Sequence, residues 1–145
     1  MEHVRKRIRN AVVAMVTGLP STADRVHTSR MTIVQPDELP CLIVYSAHEQ
    51  NSPGSLDGLQ SRTLQLIVDA YARARLDLED ELDGICAEVE STVVLSGPIS
   101  GLVKWIRLSE TSIQLGEEGD SAMGMARMRF TVNYYTEEGF PEAAV

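Results

Sequence analysis

The chain has 145 residues, long enough to bury a sizeable core, and its 43% apolar and 23% charged residues are ordinary globular composition. With 21 acidic against 13 basic residues the formal net charge is −8, which excludes a general nucleic-acid binder, because phosphate contact needs a basic footprint. No apolar run approaches the ~20 residues of a membrane span, and MEHVRKRIRN carries charge where a signal peptide needs an apolar core, so a soluble, non-secreted protein is expected.

Residues 2–17 predict a helix. Val4, Ile8, Ala11, Val12, Met15 and Val16 recur at helical spacing, Gly18 suits the left-handed position after the last turn, and Pro20 cannot continue it. Arg5, Lys6, Arg7 and Arg9 crowd the first half, where cations oppose the helix dipole. They read either as a solvated face or as a patch that meets an acidic neighbour, such as another copy of the chain. Residues 20–24 are turn chemistry, 25–29 a short strand that 31–34 extends, and 35–40 a loop held by two prolines. Cys41 to Tyr45 is apolar at every position, the pattern of a strand covered on both faces. From Ala47 to Ser61 the chain is polar, with Pro53, Gly54 and Gly58, which predicts a long mobile loop used for a contact.

Residues 62–95 organise the rest. Leu64, Leu66, Val68, Ala70, Ala72 and Ala74 alternate with Thr63, Gln65, Ile67, Asp69, Tyr71 and Arg73, as in a half-buried strand. The period then becomes helical: Leu78, Leu82, Ile85, Cys86, Val89 and Val93 form one stripe, and seven carboxylates lie between 77 and 90. A turn at 96–101 leads to two long strands, roughly 102–115 and 122–136, joined by an acidic tip at 116–121. Residues 137–145 are expected to fray. The order predicts one α+β domain over 1–145: a single mixed or antiparallel sheet of four to five strands, two helices packed on one face, and a long C-terminal β-hairpin.

No chemistry-bearing constellation emerges. His3, His27 and His48 lie in separate segments, without an activated serine or a phosphate loop. Cys41 and Cys86 sit in apolar contexts and read as buried, reduced thiols. Glu79, Glu81, Asp83, Gly84 and Glu90 match positions one, three, five, six and twelve of a calcium loop. Position one is Glu rather than Asp, a strand precedes the segment, and the unbroken apolar stripe demands a continuous helix, so an exposed acidic face is expected instead. Met123, Met125 and Met128 read as core or interface filler, and Trp105 and the tyrosines do not form a base-stacking platform. Neither catalysis nor a bound metal or cofactor is expected.

TGLPSTADRVHTSR (17–30), DELPCLIVYSAHE (37–49), LQLIVDAYARA (64–74) and DLEDELDGICAEVE (77–90), followed by the long final hairpin, occur in an order and spacing that resembles the tail terminator, or tail completion, proteins of long-tailed bacteriophages. The resemblance implies a virion protein, assembled in the host cytoplasm, that forms a hexameric ring on the head-proximal end of the tail tube. Such a ring ends tube polymerisation and forms the joint to the head. Its partners would be itself, the tail tube protein and a head-completion or connector protein, with DNA passing through unheld and no cofactor. On that reading Arg5, Lys6, Arg7 and Arg9 on one side and Asp80, Glu81, Asp83 and Glu88 on the other are candidate interface patches, since a ring joins unlike surfaces. Glu117, Glu118 and Asp120 are candidate lumen or rim residues. Competing expectations are a head-completion or neck adaptor and, from a different class, a small metal- or ligand-binding regulatory domain.

Overall fold

A computed structural model describes residues 2–28, 35–55, 57–74, 76–95, 99–116 and 122–145. In chain order they form α1 (Val4–Val16), β1 (Val26–His27), β2 (Cys41–Pro53), β3 (Leu59–Ala74), α2 (Leu78–Leu95), β4 (Trp105–Gly116), β5 (Ala122–Glu137) and β6 (Phe140–Ala144). The strands make one six-stranded sheet in the order β1-β2-β3-β5-β4, with β6 also on β5. Among the described residues only the short β1–β2 pair is parallel. The class is therefore α+β, with six strands rather than four or five.

Two helical stripes and one face of the sheet make the main core. Val4, Ile8, Val12 and Val16 of α1 and Leu78, Leu82, Ile85, Val89 and Val93 of α2 are buried against Leu42, Val44, Leu64, Leu66, Val68, Met128, Phe130, Val132 and Tyr134. Both helices thus lie on the same face, as the alternation in β3 and the 3.6-residue period of α2 require. Each fully buried large apolar side chain contributes about 1.5–3 kcal/mol relative to exposure. Gly18, with φ of +93°, takes the left-handed position after α1. On the opposite face Ile43, Tyr45 and Ile67 form a second small cluster flanked by Tyr71, so the Cys41–Tyr45 run is covered on both sides.

Three expectations change. The stretch 47–61 is not one long loop: β2 and β3 continue as a hairpin to the pairs Asn51↔Arg62 and Pro53↔Gln60, closed by Gly54 N–H donating to the Leu59 carbonyl at 2.7 Å. Solvent meets this arm on both faces, so no apolar alternation marks it as strand. The tail does not fray: Glu138 and Gly139 (φ +80°) turn the chain, and β6 returns along β5 with Glu137↔Phe140 and Thr136↔Ala144 paired. Of the 25–34 strand, only Val26–His27 is realised among the described residues, and 31–34 lies outside them.

Candidate functional site

The basic start of α1 is largely engaged within the chain. The Arg5 guanidinium donates to Glu49 Oε2 at 3.0 Å, and Arg62 Nη1 donates to the same oxygen at 3.1 Å. The Tyr134 hydroxyl donates to the other carboxylate oxygen. Arg62 also reaches Thr136 Oγ1 at 3.0 Å. The Glu49 side chain is only 6% exposed, so this is a buried carboxylate between two cations and a phenol. Burial, and then the bond to Glu49, push the Tyr134 hydroxyl well above its ordinary pKa. Arg9 donates to Ser46 Oγ at 3.2 Å, and Lys6 pairs with Glu2 on the surface at 3.0 Å. Arg7 is exposed.

Nothing in the sequence marks Glu49, because a β-bulge between Ser46 and His48 hides its direction. Strict alternation from Ile43 and Tyr45 would turn Glu49 away from the helices. The inserted residue reverses the parity and aims it at α1, opposite Leu64. Beside the bulge lies an open cleft of about 340 Å³ lined by Arg5, Ser46, Ala47, His48, Glu49 and Leu64.

The acidic patch divides likewise. Glu88 accepts from Ser21 N–H at 3.0 Å and from the Ser21 hydroxyl, tying α2 to the turn that follows α1. Asp80, Glu81 and Asp83 are exposed. Leu78–Leu95 is one unbroken helix, so the residues matching a calcium loop lie along a helix rather than around a cation. No group of three or more His, Cys, Asp or Glu side chains converges on a metal position among the described residues. Glu117, Glu118 and Asp120 lie outside the described residues.

On the face away from the helices, Asp69 is buried and held by a fork: Arg127 Nε at 2.9 Å and Nη2 at 3.1 Å, with the Tyr45 hydroxyl at 2.8 Å. Burial pushes both thiols up to about 11; Cys41 is buried and Cys86 half-buried. That environment disfavours the thiolate, the reactive form.

The sheet leaves two long arms in solvent. Beyond a bulge between Leu108 and Glu110, every residue of β4 from Ser109 to Gly116 is exposed. Ile113 and Leu115 are among them, Leu115 with 51% of its surface open. Gly124 lets this arm approach α2: a Cβ there would sit 3.0 Å from Leu78 Cδ2, 3.1 Å from Leu115 Cδ2 and 3.2 Å from the Gln114 carbonyl. At the other corner, the end of β2 past its own bulge is open on nearly every side chain from Ala47 to Pro53. Both bulges fall at the level of Leu66 and Phe130, so the outer strands depart from regular pairing at matching heights.

No helix of the described residues is long and apolar enough to cross a membrane. No family model matches the chain, and no curated protein matches it. Among solved structures it is similar to a chain from the virion of a native gene transfer agent particle, with a TM-score of 0.49 and 15% identity over 90% of this chain and 92% of that one.

Proposed function

We propose that this protein is a structural component of a phage-like particle, and within it a tail terminator that closes the head-proximal end of the tail tube as a ring. The observation that carries the reading is the open sheet with two long exposed arms at opposite corners. A long exposed strand edge is a template for pairing, and proteins that act alone blunt or cover it. The two arms differ, so they suit the unlike contacts that close a ring rather than the self-matching contact of a dimer. The segment order that resembles tail terminators supports the specific role.

The role is structural, not catalytic. The charged groups that converge, Glu49 with Arg5 and Arg62, and Asp69 with Arg127, stabilise the fold. Arg7 on α1 and Asp80, Glu81 and Asp83 on α2 are exposed charges available for contact between copies. The partners on this reading are a second copy of the chain, the tail tube protein and a connector at the head.

The test is tail assembly in an extract depleted of this protein. Such an extract should make overlong, headless tubes, and adding the purified chain should restore a fixed length and head joining. Tubes of normal length without the protein would refute the reading. Restoration of head joining with no effect on length would assign the chain to the neck instead.

A further inference from the structure

Four strands carry the length of the sheet, and each runs antiparallel to the next across β2, β3, β5 and β4. An even number of alternating strands leaves the two outer ones pointing in opposite directions. Copies related by rotation about an axis along the strands keep those directions. The β4 edge of one copy therefore meets the β2 edge of the next already antiparallel, with no strand to reverse.

Both edges are open. Among the described residues β4 pairs only with β5, and β1 covers β2 only at Leu42 and Ile43. β4 has no proline and no lysine, its charges are Arg107 and Glu110, and its one bulge, between Leu108 and Glu110, leaves the arm from Thr111 to Gly116 regularly paired to β5 on its inner side. Its side chains on the helix-free face, Arg107, Glu110, Ser112 and Gln114, present opposite charges and hydrogen-bonding groups. The same face of β2 offers His48, Gln50 and Ser52. Gln50 and Ser52 carry no charge that could repel Arg107 or Glu110 of β4.

We propose that β4 of one copy pairs antiparallel with the 47–53 end of β2 in the next copy, so that the sheet runs continuously from subunit to subunit. This rests on the proposed assembly into a ring and specifies the surfaces that form it. Closing such a sheet tilts the strands by roughly 35–45°, which slides one edge along the other and sets the final register. The pairing gives backbone partners to the exposed arms without any change to the core.

The test places Gln50→Cys together with, in turn, Arg107→Cys, Glu110→Cys and Ser112→Cys, all on the same face. Within one chain these positions are three strand spacings apart, about 14 Å, too far for a disulfide. Cys41 is buried, and the half-buried Cys86 is replaced by Ser in every variant to remove its background. Protein mixed with tail tubes of the same particle is oxidised mildly and run on a non-reducing gel, with the single-cysteine proteins alongside. At least one pair should give a ladder that ends at a closed ring size, and each single cysteine should give no more than trace dimer. Tube capping without a ladder from any pair would overturn the edge pairing and leave the terminator reading standing. Absence of both capping and ladders would overturn both. Strong dimer from a single cysteine in β4 would show that the edge pairs with itself and would also overturn the proposal.

Discussion

Glu49→Ala should be the most damaging single charge removal in the protein. The carboxylate is nearly sealed and accepts from Arg5, Arg62 and Tyr134 at once. Its loss strands two cations and a buried phenol. Breaking a buried pair by deleting one partner costs about 3–5 kcal/mol. The Arg5 side chain is 36% exposed and is screened by water, whereas Arg62 is 13% exposed and is not, so the lower end, about 3 kcal/mol, is expected. With an unfolding entropy of roughly 2.1 cal/mol/K per residue, that lowers the Tm of a 145-residue chain by about 10 °C. Urea and thermal unfolding followed by circular dichroism measure it. Glu49→Gln retains an acceptor and should lose less. Arg5→Ala should cost about 1 kcal/mol or less, and the Glu49–Arg62 coupling in a double-mutant cycle should exceed the Glu49–Arg5 coupling. A loss below about 1 kcal/mol for Glu49→Ala would refute the idea that this cluster locks α1 to the sheet.

Gly124→Ala should destabilise by about 1–3 kcal/mol, because the added methyl meets the Gln114 backbone as well as two leucine tips; an unchanged urea midpoint would show that β4 yields freely. Glu88→Ala should cost about 1–2 kcal/mol by freeing the Ser21 amide and hydroxyl, and hydrogen exchange should show faster opening of the 18–25 turn with α2 unaffected. Stability should fall in alkali. The folded Tyr134 pKa is raised by burial and by Glu49, so its contribution is complete below the unfolded value near pH 10 and is lost as pH rises beyond it. The Cys41 and Cys86 thiols add a fall that begins near pH 9 and extends to about 11. Tyr134→Phe should flatten the decline above pH 10, and an unchanged slope would contradict the assignment.

The legible parts of the sequence are those where one face is dry. β3, β5, α1 and α2 each place an apolar side chain wherever the core requires one, so their periods survive in the sequence. The 47–53 end of β2 and the strand β6 are wet on most sides, and polar residues there look the same in strand and in loop. The bulges conceal more. A one-residue insertion at Ser46–His48 turns Glu49 from solvent to core, and periodicity alone cannot reveal that change. As a result Arg5, which reads as a surface cation on a helix that faces a neighbour, is bound to its own sheet. Reversing Arg5 would therefore disturb the fold as well as any contact between copies, whereas reversing Arg7 would test the surface alone. The acidic helix was readable as a helix and as exposed at Asp80, Glu81 and Asp83. The engagement of Glu88 depends on a turn some 67 residues earlier in the chain, a proximity that sequence spacing does not contain.

If copies of the chain join into the proposed ring and stop a tube, electron microscopy of tube ends shows it. Tail tube protein of the same particle, polymerised with this chain, should give tubes that stop growing and carry an added ring at one end. Tubes that lengthen at the same rate, with bare ends at saturating concentrations of this protein, would rule the ring out.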